Sequence, residues 1–177
     1  MSQNGQADKI RGTARTMVIL AWVSGLLFAT WLFQQILDDR YNPNANLDMH
    51  ISAEGVREVV LQRNVQGHYV ADGAINGRVV TFLLDTGATD VALPEGLAQR
   101  LGLPRLQRAI SQTANGAVPV WRTRLERVQL GSIELRNVRA TIVPSLGDDA
   151  AVLLGMSFLK HLEMVQRDGT LTLRQQG

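Results

Sequence analysis

The chain of 177 residues contains no cysteine, and only 5% of it is aromatic. The absence of cysteine excludes disulfide bonds, thiolate metal sites and a catalytic thiol. It does not fix the compartment, although it is compatible with an oxidising one. Hydrophobic residues still make up 45% of the chain, which is enough for the core of one folded domain and argues against wholesale disorder.

The main part of the chain also lacks an excess of charge of either sign. The net charge of +2 comes from the first 16 residues, because positions 38–177 contain 15 basic and 15 acidic residues. No basic stripe with interleaved aromatic residues is present, so nucleic-acid binding has no electrostatic footprint. The three histidines, His50, His68 and His161, are scattered over unlike segments. The sequence therefore predicts neither a metal site nor a cofactor.

One long hydrophobic run lies near the N-terminus. Met17 to Leu37 comprises 21 residues without a charge. As a helix the run would be roughly 31 Å long at about 1.5 Å per residue, close to the ~30 Å hydrocarbon core of a bilayer. A secretory signal peptide is the alternative, but its apolar core would span only about 7–15 residues before a small-x-small cleavage site, which is not seen here. We therefore expect an uncleaved single-span anchor.

The charges flanking this run predict its orientation. Lys9, Arg11 and Arg15 precede it, whereas Asp38-Asp39-Arg40 follows it. The positive-inside rule then makes residues 1–16 a cytoplasmic tail and carries the rest across the membrane, as suits a protein of a bacterial inner membrane. Residues 38–65 are polar and include the helix breaker Asn42-Pro43-Asn44. They are predicted to form a stalk or linker, in which Val56–Leu61 could add an edge strand.

Residues 66–177 have the pattern of a mainly β domain with two short helices. Short apolar runs alternate with turn signals. One helix is predicted after Pro94, and another at Met156–Leu162. The hairpin Gln107–Arg124 carries small polar residues at its tip, which is typical of an exposed loop or of a mobile cover over a cleft. The dipeptides that indicate hairpin turns are Asn76-Gly77, Asn115-Gly116 and Asp168-Gly169.

The residues most suggestive of chemistry are Asp85-Thr86-Gly87-Ala88-Thr89, directly after the apolar run Val79–Leu84. A carboxylate at the rim of a hydrophobic core must be paired, hydrogen-bonded or protonated. Taken alone, the triplet is equally compatible with an Asx turn that caps a strand. Its surroundings favour a function. A helix start follows at Pro94, and a second apolar strand ends at Gly155, about 70 residues later and before another helix.

Taken in order, these elements resemble the retropepsin-like aspartic proteases. Leu83–Thr89 resembles their active-site signature, and Ala151–Leu159 is similar to the strand-Gly-helix element that supports the catalytic loop. The hairpin at Asn115-Gly116 lies where the family carries its flap. The resemblance covers roughly Gln66 to Leu173 and is closest to bacterial members with one N-terminal span. It implies a small closed β-barrel with two short helices after a transmembrane helix, the protease domain being residues 66–177.

The resemblance further implies an aspartic endopeptidase that is active as a homodimer. Each chain supplies one Asp85, and the two carboxylates share a proton across a two-fold axis. A water activated between them attacks the peptide bond without a covalent adduct or a metal. Thr86, Gly87 and Gly155 would support the catalytic loop. Contacts with a peptide substrate are implied for Ala88, Asp90, Thr113, Ala114, Asn115, Gly116 and Ala117.

Other interpretations remain open at this point. Asp90 is as compatible with a surface carboxylate as with a substrate contact. Ser157 stands where some relatives carry an Asp or an Arg-Asn pair, which leaves the manner of dimerisation open. A non-catalytic peptide-binding or scaffold module on the same fold is the alternative function. A β-barrel in which the Asp85 turn is merely structural is a third.

Overall fold

The computed structural model describes residues 4–47, 50–51, 55–113 and 116–175. The chain forms two compact units, Met1–Arg40 and Tyr41–Gly177. Helix α1 (Asn4–Tyr41) makes up the first unit and ends at the start of the second. Its segment Met17–Gln35 is long and apolar enough to cross a membrane. A signal sequence near an N-terminus would meet the same criterion of length and composition.

The second unit consists mainly of strands with two short helices. Its helices are α2 (Glu95–Arg100) and α3 (Met156–Leu159). Its strands are β1 (His50–Ile51), β2 (Arg57–Gln62), β3 (Val70–Ile75), β4 (Arg78–Leu84), β5 (Val91–Pro94), β6 (Gln107–Thr113), β7 (Gly116–Leu130), β8 (Ile133–Val143), β9 (Val152–Leu154), β10 (Glu163–Arg167) and β11 (Thr170–Gln175).

Six of the described strands close into a barrel. Their order is β3-β4-β9-β5-β8-β7, and an additional β3–β7 pairing closes the ring. Strand β6 pairs with β7 outside the ring. Closure depends on Gly73, because a Cβ there would lie 2.3 Å from the carbonyl oxygen of Gln129 and 2.7 Å from the ring of Phe82. The predicted mainly β, closed-barrel fold with two short helices and an N-terminal apolar helix is confirmed.

Two of the predicted hairpin turns have the backbone that their sequences favour. Asn76 and Gly77 have φ values of 51° and 82°, and Asp168 and Gly169 have values of 48° and 79°. Positive φ at both central residues defines a type I′ turn, whose twist matches that of paired strands. These turns set the registers of β3–β4 and β10–β11, which begin with Ile75↔Arg78 and Arg167↔Thr170.

The hydrophobic core fills the inside of the barrel and continues to a second sheet. Phe82 and Phe158 are its largest fully buried side chains, and the helix α3 that carries Phe158 packs against the barrel. The second sheet has the order β1-β2-β11-β10. The alternating residues Val59, Leu61 and Leu173 of β2 and β11 are fully buried and belong to the same core. The hydrophobic effect of one continuous core therefore holds both sheets together.

Part of the stretch predicted as a linker belongs to the folded unit. Asn44 is 3% exposed, and its side-chain amide donates to the carbonyl oxygens of Gln62 and Val70 at 2.9 and 2.7 Å. Its Oδ1 accepts the N–H of Gln62 at 2.7 Å. Strand β2 also lies within the stretch, between β1 and β11. The asparagine compensates backbone groups that would otherwise be buried without partners, so this polar segment packs on the barrel.

Candidate active site

Asp85 follows the last residue of β4, where that strand runs parallel to β9. Its backbone N–H donates to the carbonyl oxygen of Leu154 at 3.2 Å, which extends the Leu84↔Leu154 pairing by one residue. Its own carbonyl oxygen accepts the N–H of Ala88 at 3.2 Å, which closes a tight turn. The Asp85 side chain is half-buried at this end of the barrel strands. The carboxylate is thus fixed at its base and remains accessible to solvent.

The turn orients the carboxylate through a backbone donor. The N–H of Gly87 donates to Asp85 Oδ1 at 2.8 Å. A Cβ at position 87 would lie 3.1 Å from that same oxygen, so a side chain would crowd the hydrogen bond. Thr86, between the two residues, is exposed in the single chain. One oxygen of Asp85 is therefore held by the loop, and the neighbouring hydroxyl-bearing side chain faces solvent.

Gly155 and the start of α3 pack against the loop that carries Asp85 and support it. The N–H groups of Met156 and Ser157 donate to the carbonyl oxygens of Ala88 and Thr89 at 2.8 and 2.9 Å. Gly155 makes this approach possible, because a Cβ there would lie 2.6 Å from the Ala88 oxygen and 2.4 Å from that of Asp90. The two strand-then-glycine features of the sequence therefore meet in space, and the second supports the loop of the first.

Ser157 connects the loop to β5 and β8. Its side chain is buried, and its hydroxyl donates to the carbonyl oxygen of Arg139 at 2.8 Å and accepts the N–H of Val91 at 3.0 Å. The guanidinium of Arg139 in turn lies 3.3 Å from Asp90 Oδ1. Asp90 is thus engaged in an ion pair within its own chain. Sequence reasoning missed Arg139, because only the parallel β5–β8 pairing brings it beside Asp90.

The hairpin of β6 and the first half of β7 forms a two-stranded arm. The pairing runs from Gln107↔Arg122 to Thr113↔Gly116, and Ala114 and Asn115 at its tip lie outside the described residues. Ile110 on the arm is 74% exposed. A cavity of about 380 Å³ lies against the arm and is lined by Arg108, Ala109, Ile110, Ala117, Val118 and Pro119. The arm therefore presents apolar surface near the residues predicted to cover a substrate.

An apolar cluster joins the base of this arm to the strands beside Asp85. Ala92, Val120 and Val143 are buried together, and the partly buried side chains packed against them are Ala109, Val118, Leu146 and Leu153. Leu153 directly precedes Leu154, whose carbonyl oxygen receives the Asp85 N–H. The Asp85 loop thus begins beside the apolar strand β9. Among the described residues, no three His, Asp or Glu side chains lie together as metal ligands.

Comparison with known proteins agrees with this arrangement. Residues 71–161 match the family model described as gag-polyprotein putative aspartyl protease. The crystal structure of a retropepsin-like aspartic protease from Rickettsia conorii is 30% identical and covers 73% of this chain and 96% of its own, with a TM-score of 0.59. The chain belongs to the retropepsin-like aspartic protease family. The structure of EIAV protease complexed with the inhibitor HBY-793 is 21% identical over 55% of the chain, with a TM-score of 0.44.

Curated relatives of this retropepsin-like chain are uncharacterized proteins. One, from the cobV 5′ region of a Sinorhizobium species, is 38% identical over 126 residues, or 69% of this chain and 54% of the relative. Another, from Rickettsia prowazekii, is 31% identical over 121 residues, or 67% of this chain and 51% of the relative. The chain thus spans about half the length of the curated relatives it matches.

The site residues that the retropepsin-like resemblance implied fall into two groups. One loop and its support bring together Asp85, Thr86, Gly87, Ala88, Asp90 and Gly155. The end of the arm carries Thr113, Gly116 and Ala117, and the remaining two, Ala114 and Asn115, are outside the described residues. The additional side chains that the structure brings to the site are Arg139, Ser157 and the apolar cluster around Ala92 and Val120.

Proposed function

We propose that this chain is an aspartic endopeptidase in which two copies of Asp85, one from each subunit of a homodimer, form one catalytic site. The observation that supports it most is the Asp85 carboxylate. It is half-buried at the end of β4, oriented by the Gly87 N–H at 2.8 Å and supported by Gly155. The part of the chain that the structure describes contains one such loop, so under this proposal a second chain completes the site.

The chemistry follows from two carboxylates a few ångströms apart. Because like charges at that distance disfavour double ionisation, the pair holds one shared proton. The ionised carboxylate takes a proton from a water between the two, and the protonated one donates a hydrogen bond to the scissile carbonyl. The water oxygen then bonds to the carbonyl carbon and gives a tetrahedral intermediate. The intermediate collapses when its C–N bond breaks, and the carboxyl group that took the proton from water passes it to the leaving amine nitrogen.

The surrounding residues are assigned supporting roles under the same proposal. Thr86, exposed in the single chain, hydrogen-bonds to the partner's loop and holds both carboxylates in place. Ala88 leaves room for an extended peptide, and Asp90 lies beside the peptide main chain. The arm, with Thr113 to Ala117 at its end, covers the peptide and pairs with its backbone. The apolar cluster around Val120 and Leu153 favours apolar side chains in the substrate.

The proposal also includes a location. Helix α1 anchors the chain through Met17–Leu37 in the cytoplasmic membrane, with residues 1–16 in the cytoplasm and the peptidase domain outside it. The support is the length and apolar composition of Met17–Gln35 together with the positive charges that precede it. The anchor would also raise the local concentration of two chains in one membrane and so favour the dimer.

The catalytic role of Asp85 is tested with Asp85→Asn in the full-length chain. We expect peptide cleavage to fall by about 10²-fold or more, because the amide cannot act as a general base. The fold and the thermal unfolding midpoint should be retained. The matched control is Asp168→Asn, the same chemical change in the exposed type I′ turn at φ 48°, a conformation that asparagine tolerates.

Two outcomes would contradict the proposal. Normal cleavage by Asp85→Asn would show that the carboxylate is not the general base. A folded wild-type chain that binds extended peptides and leaves them intact would instead support the non-catalytic peptide-binding module. The Asp168→Asn chain should cleave at the wild-type rate, so that a loss in Asp85→Asn is attributable to that position.

A further inference from the structure

A cavity lined by cationic side chains lies on the exposed face of β8, beside the residues that follow α3. Its volume is about 240 Å³, and its walls include Arg136, Asn137, Arg139, Lys160 and His161. All five residues are exposed. None of the described residues that line the cavity carries a carboxylate. We call it the basic pocket, because two arginines and a lysine bring three charges to it at neutral pH.

The pairing of β7 with β8 adds a further positive charge beside the basic pocket. Arg124 lies directly opposite Arg139 in the antiparallel register. Like charges in that arrangement destabilise a strand pair. The Arg124 guanidinium donates to the side-chain oxygen of Asn137 at 2.9 Å, which is a neutral partner and leaves the repulsion in place. An anion bound beside these arginines would relieve it.

The carboxylates near the basic pocket compensate only part of its charge. Glu134 lies 3.1 Å from Arg136, and Asp90 Oδ1 lies 3.3 Å from Arg139. That Asp90 oxygen is buried and accepts no hydrogen bond from the described residues, so its contact with Arg139 is one of charge alone. Lys160 has no ion-pair partner in the part of the chain that the structure describes. The pocket therefore keeps both charge and hydrogen-bond donors for another anionic group.

We propose that the basic pocket binds an acidic side chain of the peptide substrate, away from the bond that is cleaved. The inference rests on the proposed function and names a substrate class, namely peptides with Asp or Glu distal to the scissile bond. Arg139 links the pocket to the substrate, because it contacts Asp90, which the proposed function sets beside the peptide main chain. An extended peptide advances about 3.3 Å per residue, so a chain that passes Asp90 reaches the pocket within a few residues.

The chemistry and size of the basic pocket favour a single carboxylate. A guanidinium presents N–H groups in a planar fork that matches the two oxygens of a carboxylate, and an ammonium adds a compact charge. The volume of about 240 Å³ is below the range of about 300–1,000 Å³ that is usual for pockets that hold whole small molecules. One acidic side chain from a longer ligand fits such a space. Free phosphate shares the charge, and the experiment below separates the two.

Cross-linking to Lys160 tests binding without any need for cleavage, because Lys160 is the only lysine in positions 38–177. A carbodiimide joins a carboxylate to a neighbouring amine as an amide. The probe is an extended peptide of about ten residues with blocked ends and one Glu, added to the full-length Asp85→Asn chain. We expect mass spectrometry to find the peptide on Lys160.

Two variants in the same background serve as controls for the cross-link. Lys160→Arg keeps the charge and removes the amine, so it should bind the probe without forming the amide. Arg78→Lys adds an amine at an exposed position at the start of β4, about 20 Å of strand away from Asp85. The peptide should join Lys160 and not this second amine. Equal labelling of both amines would show non-selective reaction and would overturn the proposal.

A glutamate scan of a cleaved peptide is the second test. Glu replaces Gln at one position after another on both sides of the scissile bond, and kcat/KM is compared within each Glu and Gln pair. We expect a preference for Glu of about fivefold at a position distal to that bond, as for an exposed ion pair. The preference should disappear in Lys160→Gln, and it should persist in Lys160→Arg and in Arg78→Gln, which removes a cation elsewhere.

The outcomes separate the basic pocket from the proposed function. If the wild-type chain cleaves peptides through Asp85 with no preference for Glu at any position, the pocket proposal is wrong and the function stands. If inorganic phosphate blocks the cross-link, sodium chloride of equal ionic strength does not, and no Glu preference is found, the pocket is a site for free anions and the proposal is again wrong. Selective cross-linking to Lys160 in a chain whose wild type cleaves no peptide would keep the acidic-peptide site and overturn the proposed function.

Discussion

At the scale of single residues, two glycines determine where the Asp85 carboxylate lies. Gly87 allows its N–H to reach Asp85 Oδ1, and Gly155 lets α3 approach the loop closely enough to bind its carbonyl oxygens. Ser157 adds a hydroxyl that joins the backbone of Val91 to that of Arg139. The position of the carboxylate thus depends on the absence of side chains at Gly87 and Gly155 as much as on the hydrogen bonds that Ser157 makes.

Gly155→Ala tests this dependence. A methyl group would lie 2.4 and 2.6 Å from two backbone oxygens, so the loop or α3 must move. We expect the free energy of unfolding to fall by about 1–3 kcal/mol and peptide cleavage to fall with it. Chemical denaturation and a peptidase assay measure the two effects. The control is Gly147→Ala, where no atom lies within 4 Å of the added methyl group. Equal stability and activity of the two variants would contradict the role of Gly155.

At the scale of elements, local chemistry made most of the architecture predictable. The turns at Asn76-Gly77 and Asp168-Gly169 have a local cause, namely residues that accept positive φ. The apolar strands before Asp85 and Gly155 were also recognisable, since each is a short hydrophobic run ending in a polar or glycine turn. These features placed the candidate carboxylate on the correct element.

Features that depend on distant contacts could not be predicted from the sequence. The packing of Asn44 on the folded unit requires carbonyl groups of Gln62 and Val70, which only the folded chain brings to it. The ion pair between Arg139 and Asp90 depends on the register of β5 with β8. The place of β10 at one end of the second sheet, among the described strands, follows from the sheet order and not from its own pattern of residues.

Helix α1 carries the prediction about location. The test uses a reporter enzyme that works only outside the cytoplasm, fused after Gly177. We expect this reporter to be active, because positive residues before Met17 favour an N-terminus inside the cytoplasm. The same reporter fused before helix α1 should be inactive and serves as the matched control. Activity of a cytoplasm-dependent reporter at the C-terminal position would contradict this orientation.

At the scale of the whole molecule, the barrel is complete within one chain, whereas one chain supplies only half of the proposed catalytic site. The β3–β7 pairing closes the ring within a single chain. The described residues nevertheless contain a single Asp85 loop, with an exposed Thr86 beside it. Under the proposed function, a second copy of the chain supplies the other carboxylate. Dimerisation is therefore the condition on which the catalytic proposal depends.

Subunit mixing tests most directly whether two copies of Asp85 form one site. Wild-type chains are allowed to exchange with an equal amount of Asp85→Asn chains, and cleavage is measured per wild-type chain. Random pairing leaves only half of the wild-type chains with a wild-type partner, so this activity should fall to about half, and to about a tenth in ninefold excess of the variant. Activity per wild-type chain that stays constant at every ratio would show that each Asp85 acts alone and would contradict the account.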